Sequence, residues 1–390
     1  MSNNLRFKGR YPYSAYTADS DGVRDQVNAS YNSFSELIDN VQLDSYVKWV
    51  ALGASPSVVS LKIYSGEQEK KWGSGFIISC DDIADGQFGG IVITSASLLK
   101  VDATLDTPVD DLKVVVVLAG GDQMGGEIEA VDYHFNIAAI KILSGHPLKV
   151  SRLREINDCV VLAQSQPFVL RPHSELFQLT PGTPLLSLGR YYKEGSHIMV
   201  APGVYCLEQC RFDCKELMRS SCRITKCGIG GPTVNEDGEV VGMNFYALGF
   251  TPFLPINIII KWWKLCKRSY CRPYLGVETS NLFTLRIGVL EKIMRKFPDL
   301  KVFEIGIIVD EVAPGSPAGS AGLRPSDIII SCDGADVRSS LQFFDVIWDK
   351  VGKSVELVAI TTDGTQRTLN VVVADTTHLN RWPIQNYGRL

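Results

Sequence analysis

Few stretches of this 390-residue chain combine residue types and spacing that chemistry could use. The densest is Lys226-Cys227-Gly228-Ile229-Gly230-Gly231-Pro232-Thr233-Val234-Asn235, which runs through Glu236-Asp237-Gly238 into the apolar run ending at Phe245. Gly-Gly-Pro after a tight bend, then Asn-x-Asp-Gly between two β-rich runs, predicts a constrained loop feeding a hairpin. Cys227 in that loop and His134 elsewhere are the right types for a thiol nucleophile and its base. The plain alternative is a buried thiol and a surface imidazole, since Cys227 does not stand at the elbow that presents a nucleophile. A second constellation, Cys206, Cys210, Cys214, Cys222 and Cys227, has the ligand type for zinc, but C-x3-C-x3-C lacks the usual C-x2-C knuckle. Free thiols acting as small apolar fillers are the alternative there. His146, His173, His197 and His378 stand alone and read as surface or capping residues.

The elements that must position these residues are mostly short strands. Residues 1–42 are polar, rich in Tyr and Ser and without a sustained period, which predicts an extended, partly disordered arm. A short helix is expected over residues 43–52, ending at Gly53. Strands are expected over 55–63, 71–79, 90–97, 112–118, 127–131, 137–142, 160–162, 184–188, 198–200 and 240–246. Many short strands with turn residues between them predict an all-β barrel or sandwich to about residue 255. A basic-ended amphipathic helix over 256–267 then leads to a second domain. There, helices are expected over 285–297 and 341–351, and strands over 305–311, 327–332, 354–361 and 366–373. Residues 376–390 form a polar tail.

Five segments carry a family resemblance. Ser55-Pro56-Ser57-Val58-Val59-Ser60 and Gly73-Ser74-Gly75-Phe76-Ile77-Ile78 resemble the first two protease strands of the HtrA (Do/Deg) serine proteases. Ile93-Thr94-Ser95-Ala96-Ser97-Leu98-Leu99 is similar to that family's L-T-N-A-H-V-V, Asn136-Ile137-Ala138-Ala139-Ile140-Lys141-Ile142 to D-I-A-L-L-K-I, and Cys227-Gly228-Ile229-Gly230-Gly231-Pro232 to G-N-S-G-G-P. The resemblance implies a chymotrypsin-like double β-barrel over 43–268. It places Ser97 at the general base, Asn136 at the orienting acid and Ile229 at the nucleophile. A hydrocarbon cannot attack a carbonyl, and neither Ser97 nor Asn136 has a pKa near 7. Cys227 replaces a family Gly, so strain or a remodelled oxyanion loop is expected. The resemblance, with these replacements, implies a pseudoprotease. The competing class is a serine-type endopeptidase of protein quality control with retained or relocated chemistry.

Residues 269–375 resemble a PDZ domain, an α+β fold. Tyr274-Leu275-Gly276-Val277 is similar to its carboxylate-binding loop. Ala321-Gly322-Leu323-Arg324-Pro325-Ser326-Asp327-Ile328-Ile329 is similar to A-G-L-x-x-G-D-V-I, with Ser326 where the pattern has Gly. Such domains add a peptide as a strand and capture its carboxylate on backbone N–H groups. Residues 278–304 read as a helix-bearing insert able to reshape that groove. The implied partners are C-terminal or unfolded peptide segments of client proteins, and the family resemblance adds a possible trimer.

Composition narrows the remaining classes. A formal charge of -4 gives no bulk reason to expect nucleic acid or an anionic membrane as partner. The longest apolar stretch, residues 250–263, is broken by Pro252, Pro255 and Asn257. Met1 to Tyr16 has no apolar h-region, so no secretory signal is expected there, and ten Cys then favour a reducing compartment, cytoplasm or nucleus. No motif calls for a cofactor.

Overall fold

Two six-stranded barrels, each closed by antiparallel pairing, precede a smaller α+β domain. The computed structural model describes residues 43–375 apart from 101–111, 160–175, 192–195, 209, 211–213, 215 and 267–271. The expected arm over 1–42, strand over 160–162 and tail over 376–390, with His173 and His378, lie outside the described residues.

The chain enters through helix α1 (Ser45–Ala54), capped where the Asp44 carboxylate accepts from the Tyr46 N–H at 2.7 Å. Val47, Val50 and Ala51, at i, i+3 and i+4, bury one face, which is why the helix lies on the barrels. It runs past Gly53, where the sequence suggested an end, and stops at the Pro56 turn.

The first barrel has strands β1 (Val58–Ser65), β2 (Gln68–Ala84), β3 (Gln87–Ser95), β4 (Leu112–Val117), β5 (Gln123–Asp132) and β6 (Ile137–Ser144), in the order β1-β2-β3-β6-β5-β4. The second has β7 (Pro184–Arg190), β8 (Ile198–Cys206), β9 (Met218–Ser220), β10 (Pro232–Val234), β11 (Val240–Asn244) and β12 (Thr251–Pro255), in the order β8-β9-β12-β11-β10-β7. Leu61, Ile63, Val92 and Ile140 fill the first; Leu188, Met199, Val241 and Phe253 belong to the core of the second. Closure leaves neither barrel with an edge. The buried Arg190 guanidinium ties them together, donating to the carbonyls of Val58 (2.6 Å), Ser196 (2.6 Å) and Ser55 (2.7 Å). Burial pulls its pKa down to about 10, which still leaves it charged at neutral pH.

Helix α2 (Ile256–Cys266) follows β12 directly and buries Ile256, Ile258, Ile259 and Trp262. The second domain is a sheet in the order β13 (Val277–Asn281), β14 (Ile307–Val312), β15 (Ile328–Cys332), β16 (Ser354–Ile360) and β17 (Gln366–Val372). Around it lie α3 (Ile287–Lys296), the short α4 (Pro317–Ser320) and α5 (Ser340–Ile347). Residues 278–281, read from sequence as the start of an insert, continue the edge strand β13 instead. Helix α3 packs through Leu290 with Leu282, Val302 and Ile328 in a cluster separate from the residues of α5. Among the described residues no helix is long and apolar enough to cross a membrane.

Candidate functional site

Pairing between β3 and β6 sets Ser95 opposite Ile137, so the turns that follow β3 and precede β6 meet. Ser97 lies in a 3₁₀ turn over Ala96–Leu98, and Asn136, at φ 55°, reverses the chain into β6. The Asn136 side-chain carbonyl accepts from the Ser97 backbone N–H at 2.6 Å and from the Ser95 hydroxyl at 2.9 Å, and the Asn136 backbone carbonyl from the Ala96 N–H at 3.1 Å. Ser95 and Ser97 share a hydroxyl contact at 2.7 Å. Ser95, Ser97 and Asn136 thus form a hydrogen-bonded frame of uncharged side chains.

One cation reaches this frame from across the sheet. The Lys71 ammonium donates to the Ser97 carbonyl at 2.7 Å. Burial, and the nearby Lys100 ammonium, lower its pKa. Sequence reasoning missed Lys71 because nothing local marks a strand lysine that will bend over a turn belonging to β3. It missed Ser74 for a related reason: its hydroxyl, donating to the Cys227 carbonyl at 2.5 Å and accepting from the Arg190 N–H at 2.8 Å, bridges three segments distant in sequence.

The Ile229 loop closes against the frame. Its Gly230, at φ 80°, is a position where a Cβ would fall 2.4 Å from both the Ser74 carbonyl and the Thr94 hydroxyl. The Ile229 carbonyl accepts from the Ser74 N–H at 2.8 Å, and its side chain packs against the first barrel's core. Lys226–Gly228 form a 3₁₀ turn, in which the Ile229 N–H donates back to the Lys226 carbonyl at 3.1 Å. In trypsin-like enzymes the N–H at the nucleophile position is one of the two oxyanion donors. Here it is spent inside the loop. Cys227 takes a negative φ in this turn, so the left-handed strain that a side chain there could have imposed is not seen.

The thiols do not form a reactive centre. Cys227 is buried against the Thr225 hydroxyl (2.8 Å) and the Met199 sulfur (3.8 Å), and burial pushes its pKa up to about 12. An activated thiol needs the opposite shift. Its hydrogen bonds reach no imidazole; His134 packs edge-on to Phe135 at 4.8 Å. Cys206, Cys210, Cys214 and Cys222 each contact a different oxygen, on Val204, Met218, Glu216 and Leu185. Among the described residues no group of three or more His, Cys, Asp or Glu is placed to hold a metal.

The second candidate site is the turn before β13. Gly276 sits at φ 72°, where a Cβ would lie 2.2 Å from Ser316 Cβ. The Leu275 and Gly276 carbonyls accept from the Ala318 and Ala313 N–H groups at 3.0 and 2.8 Å. Neither Leu275 nor Gly276 donates its own N–H to another described residue. Tyr274 pairs with Ala374, and Val277 opens β13, which has β14 on one side only. Two unspent N–H groups beside a free strand edge are what a strand-adding, carboxylate-capturing groove requires.

That groove faces the barrels. Phe344 and Trp348 of α5 and its flank pack at 4.6 Å from each other, each 5.8 Å from Phe135, the residue before Asn136. Lys261 of α2 pairs with Asp345 at 2.6 Å, and the Asn281 amide donates to Asp158 at 3.2 Å. Asn281 also accepts from the Ser340 N–H at 2.6 Å, so one side chain joins the barrels, β13 and α5. The barrels, not the helix-bearing insert, cover the groove.

Comparison with known proteins agrees with both halves. Residues 73–243 match the trypsin-like peptidase domain family and residues 273–373 the PDZ domain family. Protease Do-like 14 of Arabidopsis thaliana is 29% identical over 335 residues, 81% of this chain and 68% of that protein. Serine protease HTR4 of Rattus norvegicus is 26% identical, over 80% of this chain and 60% of its own length. The chain thus spans about three-fifths of the rodent relatives it matches. The solved HtrA-type protease AlgW with a tripeptide superposes with a TM-score of 0.56 at 18% identity, covering 85% of this chain and 98% of that one. With two closed barrels, a PDZ domain in the same order and these relatives, the chain belongs to the HtrA/Do-like family.

Proposed function

We propose that this protein is a catalytically degenerate member of its family, a pseudoprotease that serves as a peptide- or client-binding scaffold through its PDZ domain. The observation that carries the reading is the Ile229 loop, where the residue that the resemblance sets at the nucleophile position is a hydrocarbon and its N–H bonds to the Lys226 carbonyl. Loss of the nucleophile alone costs on the order of 10⁶ in turnover in a serine protease. Ser97 and Asn136 offer no base to activate a substitute, and the raised pKa of Cys227 removes the nearest thiol.

What persists is the recognition machinery: the Leu275 and Gly276 N–H groups for a terminal carboxylate, β13 for a backbone, and Leu341 and Phe344 as an apolar wall. Access requires the PDZ domain to part from the barrels, so the measured affinity is the intrinsic one scaled by the fraction of open molecules. A homo-oligomer, implied by the family, would make this binding multivalent.

The test is cleavage of an unfolded protein by the purified chain, beside a Ser97→Ala, Cys227→Ala double variant, with titration of hydrophobic C-terminal peptides in parallel. No cleavage by either, with saturable peptide binding, is the expected result. Cleavage that the double variant loses would mean that the chemistry has moved.

A further inference from the structure

Helix α1 is apolar on both of its faces. The inward side, Val47, Val50 and Ala51, packs on the barrels, and the outward side presents Tyr46, Trp49 and Leu52. Trp49 is 68% exposed and Leu52 64%, and Lys48 is the one charged residue of this helix. The Tyr46 and Trp49 rings stack at 5.8 Å, so the outward side chains form a stripe. The Tyr46 hydroxyl donates to the Glu236 carbonyl at 3.2 Å, which fixes that stripe against the turn between β10 and β11. A helix that is apolar all round belongs in an interior, so the outward face of α1 calls for a cover.

The sequence directly before α1 carries the matching pattern. The arm as a whole has no sustained period, but Phe34, Leu37, Ile38 and Val41 stand at i, i+3, i+4 and i+7, with Glu36, Asp39 and Asn40 between them. Ser33 and Glu36 have the spacing of a capping box, which predicts a helix start at residue 34. Gln42, Leu43 and Asp44 remain as a link of the length that joins antiparallel helices, and Leu43 packs against the barrel core. We propose that residues 34–41 of this chain fold back on α1 as a helix and seat their apolar stripe on Trp49 and Leu52. Such a helix spans about 12 Å, and Leu52 lies about 10 Å along α1 from Ser45, so the segment reaches it. The short link also holds the segment at a local concentration that a second copy of the chain does not match. A helix of this length is not stable alone in water, so order in residues 34–41 reports their seat on α1.

The test is hydrogen exchange of the full chain, read by mass spectrometry on fragments covering residues 34–41. Their amides are expected to exchange at least about tenfold more slowly than those of a free peptide of the same sequence. Trp49→Asp, on the outward face and away from the barrel core, should return them to the free-peptide rate. Leu37→Asp, which leaves α1 unaltered, should do the same and decides the matter if the first variant fails to fold. Protection should not change when the protein is diluted tenfold. Exchange at the free-peptide rate in the parent chain, or protection that survives both substitutions, overturns the proposal. Protection lost on dilution overturns it too, and assigns the outward face of α1 to a second copy of the chain.

Discussion

The Asn136 side-chain carbonyl sits 2.6 Å from the Ser97 backbone N–H, so the turn that precedes β6 holds the turn that follows β3. The acceptor role survives without the charge. Asn136→Asp keeps both acceptor contacts and should stay within about 0.5 kcal/mol of the parent. Asn136→Ala removes the acceptor of the Ser97 N–H and one of the two partners of the buried Ser95 hydroxyl, leaves a Cβ residue with no local hydrogen bond at φ 55°, and should cost about 2–3 kcal/mol. Urea midpoints of the two variants check this, and equal midpoints would show that the frame is not held by that carbonyl.

Restoring single triad members should restore nothing. Nucleophile, base and orienting acid act as a unit, and here the oxyanion N–H is also engaged by Lys226. Ile229→Ser, Ser97→His and Asn136→Asp, made one at a time, should each leave cleavage of an unfolded protein and labelling by a fluorophosphonate at background. Labelling of Ile229→Ser alone would mean that the loop opens readily and that Lys71 or another group already serves as base.

Ser326 stands at φ 73° where the family pattern has Gly. Its N–H donates to the Val309 carbonyl at 2.7 Å, so the turn holds it in the left-handed region despite the Cβ. Ser326→Gly should raise stability by about 1 kcal/mol, read as a higher urea midpoint with an unchanged slope. A lower midpoint would show that the hydroxyl contributes more than the strain costs.

These positions separate what the sequence makes legible from what only the fold supplies. Ile229, Ser97 and Asn136 could be singled out because each sits in a local motif beside a strand. Strands β9 and β12 were not anticipated: they are three and five residues long, and β12 contains Pro252 and Pro255, which argue locally against a strand. Glu278 to Asn281 form an edge strand although they are polar throughout, because pairing with β14 rather than side-chain alternation defines them. Whether Cys227 would be strained could not be read from sequence, because only the turn geometry gives its φ. Lys71 over Ser97, and Phe135 against Phe344, depend on the meeting of distant elements and leave no local trace.

Asp158 gives the interface a pH dependence whose sign follows from burial. Its pKa in the folded chain lies above the unfolded value, so the protonated form is favoured on folding. Its contribution is full below the unfolded carboxyl range, about pH 4, and is lost as pH rises through the raised folded pKa. Asp158→Asn mimics the protonated group toward Asn281. The variant should match the parent in acid and become progressively more stable than it toward neutral pH. Urea midpoints across that range test the sign; a variant that weakens toward neutral pH would show that the charged carboxylate is stabilised after all.

Phe135 offers a way to open the groove without touching the PDZ domain. It is wholly buried, lies 5.8 Å from both Phe344 and Trp348, and belongs to the barrel side of the interface. Phe135→Ala removes an aromatic side chain from the closed arrangement and leaves the carboxylate loop, β13 and α5 unaltered in sequence. Weakening closure by about 1.4 kcal/mol raises the open fraction about tenfold while that fraction is small, and the apparent Kd for a C-terminal peptide should fall by the same factor. Phe344→Ala weakens closure too, but deletes part of the groove wall, and should gain less affinity or lose it. The comparison is made by titrating both variants with one labelled peptide. Should Phe135→Ala bind no more tightly than the parent while remaining folded, the barrels do not limit access to the groove. The Phe135 contact would then serve only to pack the two domains together.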